Sequence, residues 1–317
     1  MTTTTPPAPE ALAPAAEGRA GRAAKNAHKR LTSPWASLIA VVIAVLWTIP
    51  TAGLFISSFR PQASVQSSGW WTWFTNPEVT WDNYEVALSG SNTNLATYFI
   101  NSIVITIPSV IIPISLATMA AYAFAWMRFP GRHFLFVAIF ALQIVPIQVT
   151  MIPLLTLYVN PPFGLPQLAG AAAPGGGFYT IWLSHAIFGL PLAIYLLHNF
   201  MKEIPGELIE SARVDGAGHV AIFTRIMLPL MTPAIAAFGI FQFLWVWNDL
   251  LVALVFGGGS LDISPLTVRL AELSGTRGQD WHILSAGAFV SLVVPLIVFL
   301  SLQRYFVRGL LAGSVKG

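Results

Sequence analysis

The sequence predicts an all-α integral membrane protein with six transmembrane helices, on three observations. Apolar residues make up 55% of the chain and charged residues only 9%, about a third of the roughly 25% usual in soluble domains. The apolar residues gather into six runs of about 20 or more, the length that crosses a bilayer as a helix. The 11 Trp and 21 Phe suit lipid contact and interfacial aromatic belts.

The elements follow in order. Residues 1–34 are rich in Thr, Pro and Ala, end in a basic cluster and lack apolar periodicity; a disordered tail is expected. The first run, 34–59, carries no charged side chain and is too long for a signal-peptide core, so an uncleaved span is expected. Residues 60–94 are polar but hold WWTWF (70–74) and WDNY (81–84), aromatics suited to a headgroup layer. The second span is 95–127, followed by a basic turn at Arg128–His133. The third is 134–158. Residues 161–177, with five Gly and four Pro, form a loop. The fourth span is 178–200, the fifth 230–256 and the sixth 283–303. A polar island precedes the fifth, and a second polar loop, 257–282, follows it. Prolines 50, 108, 113, 146, 153, 191, 233 and 295 fall inside spans. Each removes a main-chain donor and tends to kink its helix.

Six spans put both termini on one side. With the N-terminus in the cytoplasm, 13 Lys and Arg fall on inside segments and Arg60, Arg269 and Arg277 outside. The positive-inside rule therefore predicts cytoplasmic termini and a cytoplasmic polar island. The same spread of basic residues argues against a nucleic-acid partner despite the +3 net charge.

Several chemistries are excluded. The chain has no Cys, hence no disulfide, thiolate nucleophile or Cys-based metal site. It lacks the phosphate-binding GxxxxGK[ST] loop, HExxH and GxSxG. Its six His are isolated; His185 and His198, in the fourth span, read as packed or hydrogen-bonded structural residues.

The polar island, ESARVDGAGHVAIFTRIMLP (210–229), places four charges between two apolar segments. Pro205 suits a first helical turn, and Glu203, Glu207 and Glu210 lie where a helix dipole favours anions. Gly216 allows the chain to turn. A second short helix, 219–225, carries Val220 and Phe223 on one face. The expected product is a bent helix pair with a partly apolar face; an amphipathic loop lying on headgroups is the alternative. Glu210-Ser211-Ala212, three residues, Gly216, nine residues, Ile226, one residue and Leu228-Pro229 resemble the EAA loop of ABC importer permeases. Ser211 stands where that family usually has Ala. LQIVPIQVTMIPL (142–154), FLWVWNDLLVAL (243–254), RGQDWHILSAGAFVSLVVPLIVF (277–299) and the ending QRYFVRGLLAGSVKG resemble the carbohydrate branch, of maltose and α-glucoside type. The resemblance runs from about Trp35 to Gly317.

The resemblance implies the type I importer permease fold over 35–317, with a core at 95–303 and a coupling loop at 201–229. It implies a subunit of the cytoplasmic membrane that imports a di- or oligosaccharide, an α-glucoside such as maltose or trehalose. It further implies a second, homologous permease, two copies of a cytoplasmic ATPase, an extracytoplasmic sugar-binding protein, and surrounding lipid. No cofactor is expected in this chain; MgATP belongs to the ATPase. Leu208, Ile209, Glu210, Ser211, Ala212, Asp215, Gly216, Val220 and Phe223 are the expected ATPase-docking residues, with Leu208, Ile209, Ala212, Val220 and Phe223 as the contact face and Glu210 and Asp215 fixing the bend.

Asp249 is the one carboxylate in an apolar run, a functional candidate by default. It lies about 28 Å along the fifth span, near its outer end. Trp245, Trp247, Asn248 and Asp249 offer the aromatic faces, amide and carboxylate that suit a sugar. The alternative is an interfacial Asp hydrogen-bonded to a neighbouring helix. Two other functions stay open: an ion-coupled secondary transporter, which would show midplane charges and an internal repeat, and a membrane scaffold.

Overall fold

The computed structural model describes residues 34–90, 94–169, 177–258 and 260–314, with side chains to residue 303. The expected disordered tail lies outside them. The chain divides at Leu54/Phe55 into two units. The first consists of most of helix Pro34–Ser58, which at about 1.5 Å per residue is about 37 Å long, enough to cross the roughly 30 Å hydrocarbon core. The Thr48 hydroxyl bonds back to the Ala44 carbonyl at 2.7 Å.

The second unit holds four further helices of spanning length, Leu95–Trp126, Phe178–Glu203, His219–Trp247 and Trp281–Ser314. Leu95–Trp126 packs most extensively against Phe178–Glu203, and His219–Trp247 lies against both and against Trp281–Ser314.

The third span is not the continuous helix expected. It consists of Arg132–Ile144 and Ile147–Val159, bent by 106°. The cause is Pro146: the residue before a proline is driven out of the α region, and Val145 is extended at φ −77, ψ 121. Irregular backbone at membrane depth is tolerated only against protein or a cavity.

The fifth span also departs from expectation. The short helix expected at 219–225 is the start of the span itself, through a π turn at Phe223–Met227. Pro229 has no N–H for the Arg225 carbonyl and its ring would strike that carbonyl; the wider turn relieves both. At the other end the helix stops at Trp247 and restarts as Leu251–Phe256. Asn248 donates its amide to the Leu244 carbonyl at 2.7 Å, taking an acceptor from the helix. Asp249 accepts from the Ala253 N–H at 3.1 Å, which starts the next turn. Segment 257–282 is less polar than predicted: it contains helix Leu266–Ser274, which buries Leu266, Val268 and Leu273.

At the end of the unit opposite residues 201–229, connecting segments are tied down by buried polar side chains. Arg60 is 3% exposed. Its guanidinium donates to the Ser64 and Ser68 carbonyls and to the Ser68 and Thr72 hydroxyls. It thereby caps helix Gln62–Ser67 at its negative end and holds the Trp70–Phe74 turn. Trp71, Phe74 and Trp81 of that segment are exposed. Asn83 donates to the Ser58 and Arg60 carbonyls, and Asn101 to those of Asp262 and Ser264.

Candidate functional site

The polar island is a shaped projection. The residue before Pro205, Ile204, is extended and ends the fourth span; helix Gly206–Val214 then begins. Glu207 lies in its first turn and Arg213 in its last, both matched to the dipole. The helix ends in a Schellman turn. The Gly216 N–H donates to the Arg213 carbonyl at 3.0 Å and the Ala217 N–H to the Ala212 carbonyl at 2.9 Å. Gly216 has φ +82, a left-handed conformation open to glycine and costly to most other residues.

The projection rests on a buried cushion. Ile209 is 1% exposed and packs with Ile222, Met227, Leu197 and Met201. Its burial contributes about 1.5–3 kcal/mol. Ala212 and Phe223 are half-buried against the same cluster. Tyr122 from the second span meets Phe223 edge-on at 5.3 Å and shares a 2.9 Å hydrogen bond with His219 Nδ1. The expected contact residues divide between two faces. Ile209 is a support, and Ala212 and Phe223 lean inward, because positions 209 and 212 share the helix face turned to the bundle. Leu208, 46% exposed, and Val220, 78% exposed, remain on the surface with Glu210, Ser211, Asp215 and Gly216. Val214, 88% exposed, joins them unpredicted. Its spacing of three from Ser211 was the available signal.

The four residues expected to meet a sugar separate. Trp247 is buried, stacks on Phe243, meets Phe99 edge-on and donates its indole N–H to the Ser291 carbonyl at 3.1 Å. Asn248 is held by its own helix. Asp249 faces the buried His185, Nε2 to Oδ2 at 3.6 Å, while its main-chain carbonyl accepts from the Thr267 hydroxyl. These contacts pin the break in the fifth span to the fourth span and to helix Leu266–Ser274. Trp245 lines a cavity of about 380 Å³ at the bend of the third span, whereas Trp247 and Asp249 border a separate, smaller one beside His185. The other face of Trp245 meets His185 edge-on at 5.4 Å between centroids.

The cavity at the bend brings together residues the sequence reading passed over. Gln143 and Val145 come from the bend, Phe188 and Gly189 from the fourth span, Gln242 from the fifth. Gln143 donates to the Phe188 carbonyl at 3.3 Å and Gln242 to the Ser109 carbonyl at 3.2 Å. A Cβ on Gly189 would lie 2.8 Å from Gln242 Oε1, so glycine is what admits that amide. Two uncharged amides inside apolar runs were the legible signal. Among the described residues no three His, Asp or Glu are grouped to hold a metal ion.

Residues 113–311 match the family described as binding-protein-dependent transport system inner membrane component. The chain is 52% identical over 299 residues to the osmoprotective compounds uptake permease protein GgtD of Synechocystis sp., covering 92% of this chain and 96% of that one. It is 51% identical over 272 residues to the alpha-glucoside transport system permease protein AglG of Rhizobium meliloti, covering 85% and 70%. A crystal structure of a bacterial ABC transporter that imports the polysaccharide alginate has a chain of the same fold. The TM-score is 0.65 at 19% identity, covering 91% of this chain and 98% of that one. The chain thus belongs to the inner-membrane permease family of binding-protein-dependent ABC importers.

Proposed function

We propose that this chain is one of two permease subunits of an ATP-driven importer for α-glucosides of di- or oligosaccharide size. The observation that carries the sugar class is the 51% identity with the α-glucoside permease of Rhizobium meliloti, joined by the 52% identity with a permease for osmoprotective compounds. The partners are a homologous permease, two copies of an ATPase that holds MgATP, and an extracytoplasmic sugar-binding protein. Residues 201–229 dock on the ATPase from the cytoplasmic side, as the basic residues of the inside segments favour. Leu208, Ser211, Val214 and Val220 supply apolar and small contacts, and Glu210 and Asp215 the flanking charges. ATPase closure then moves a loop whose underside, Ile209, is packed into the span cluster, so displacement reaches the second, fourth and fifth spans.

The test is import into proteoliposomes carrying the whole complex, with maltose-loaded or trehalose-loaded binding protein outside and MgATP inside. Uptake requiring both is expected. Uptake that follows a proton gradient and ignores ATP would overturn the proposal in favour of an ion-coupled transporter.

A further inference from the structure

We infer that the turn between the second and third spans, residues 128–134, is a binding site for the headgroup of an anionic phospholipid, with Arg128, Arg132 and His133 holding its phosphate. The inference is independent of which cargo the chain imports and needs only that the spans lie in a bilayer.

Three observations carry it. The first is a shaped concavity. About 330 Å³ of open space is lined by Arg128, Phe129, Gly131, Arg132, His133 and Phe134. Pro130 and Gly131, the latter at φ +78, turn the chain there. Phe129 pins the turn to the bundle, packing on Phe124 at 5.7 Å between ring centroids.

The second is positive charge without a counter-charge. Arg132 Nη1 donates to the Met127 carbonyl at 3.1 Å, and its Nη2 lies 3.4 Å from His133 Nε2. That bond fixes the guanidinium beside the imidazole and leaves further N–H donors open. No carboxylate lines the cavity, and among the described residues none lies within ion-pair distance of Arg128 or Arg132. Lys202 brings another cation to this corner, since it and Arg132 both lie within electrostatic reach of His198. A guanidinium presents its donors in a planar fork that matches a phosphate.

The third is the apolar surface that continues from the rim. Phe134, 80% exposed, and Val137, 63% exposed, lie three apart on one face of helix Arg132–Ala141. Cations at the mouth and exposed apolar side chains beyond it match a headgroup and its acyl chain. A free phosphate would use only the first.

The position agrees with that ligand. Tyr122 and Phe124, just before the turn, belong to the cluster beneath residues 201–229, so the cavity lies at the end that the basic residues assign to the cytoplasm. Basic pockets beside spans on that face take anionic headgroups. A lipid held there anchors helix Arg132–Ala141 at the headgroup layer, ahead of the bend at Pro146.

The test uses the intact complex in detergent, titrated with dioctanoyl phosphatidylglycerol and, in parallel, dioctanoyl phosphatidylcholine, with bound lipid counted by native mass spectrometry. The wild type should bind the anionic lipid more tightly. A cation beside an anionic headgroup corresponds to about a fivefold change in affinity. One phosphatidylglycerol adduct should therefore need about fivefold more lipid in Arg128→Gln, and about 25-fold more when Arg132→Gln is added, with phosphatidylcholine unchanged. Arg128 is exposed, so its single variant keeps the test open even if the turn needs the bond from Arg132 to Met127. Arg225→Gln, exposed at the same end and outside the cavity, should bind as wild type. Equal binding of the two lipids by the wild type, unchanged phosphatidylglycerol binding by the double variant, or an equal loss in Arg225→Gln overturns the site. Displacement of the lipid by millimolar inorganic phosphate would make it a free-anion site. Loss of ATPase copies from the double variant, with its lipid retained, would give the turn to the ATPase. Either result overturns the lipid assignment.

Discussion

Replacing Gly216 by Ala isolates what the turn of the proposed coupling loop contributes. At φ +82, an L-residue with a Cβ pays about 1–2 kcal/mol. A Cβ built there meets nothing within 4 Å, so the penalty is purely conformational. The two bonds that close the turn, Gly216 N–H to Arg213 and Ala217 N–H to Ala212, depend on that dihedral. A shift of 1–2 kcal/mol changes the ordered fraction of a marginal loop about 5- to 30-fold, and apparent affinity falls with the competent fraction. Gly216→Ala should therefore weaken ATPase binding by up to that factor, measured with purified ATPase on permease complex in lipid nanodiscs. Accumulation in the membrane should hold, because position 216 is exposed. Gly216→Asn is the control, since Asn enters the left-handed region more readily; it should bind within a few-fold of wild type. Wild-type binding by the Ala variant would refute the reasoning. So would an Asn variant as weak as Ala, which would mean that the ATPase surface comes too close for any side chain.

Three further outcomes are expected. Ile209→Ala should destabilise the loop by about 2–5 kcal/mol through a cavity in its cushion and lower the amount of intact complex, whereas Leu208→Ala and Val220→Ala should leave the amount unchanged and weaken ATPase binding; pull-down from solubilised membranes separates the two. Asp249→Ala should lower the thermal stability of the complex, by about 1–3 kcal/mol as the Ala253 N–H loses its acceptor, while import per assembled molecule stays unchanged. A loss of import at full assembly would return Asp249 to the pathway. Arg60→Met should free Gln62–Phe74, read as faster proteolytic cleavage in that segment, because four hydrogen bonds converge on one guanidinium.

The helical class and the left-handed turn at Gly216 were legible in the sequence for physical reasons, and the family through the resemblance of its motifs. Apolar runs of spanning length admit few structures in lipid, and a left-handed turn at a fixed distance from small residues needs Gly at 216. Less legible was which way each loop residue faces. Ile209 and Leu208 are adjacent and equally apolar, yet one is buried and the other exposed; only the cluster of Ile222, Met227 and Leu197 on one side of the helix decides it. The breaks were half legible. Pro146 was visible as a kink, but a 106° bend depends on what the freed backbone packs against. The stop at Trp247 depends on Asn248 and Asp249 hydrogen-bonding locally, where the apolar pattern runs straight through. Trp245 and Trp247 look alike in sequence, and the helix turns one to a cavity and the other to Ser291.

The π turn at Phe223–Met227 bears on how the loop signature tolerates change. A π turn holds one residue more than an α turn, so it stores an insertion without disturbing the helix on either side. Deleting one residue there would let the turn close towards α form, with His219 and Trp245 keeping their headings, at the cost of setting the Pro229 ring against the carbonyl four residues before it. A deletion between Leu228 and Trp245 would instead rotate one end against the other by about 100°, turning Gln242 and Trp245 away from their wall. The nine residues between Gly216 and Ile226 thus act as an angular setting: they fix the heading of the fifth span relative to the loop that precedes it.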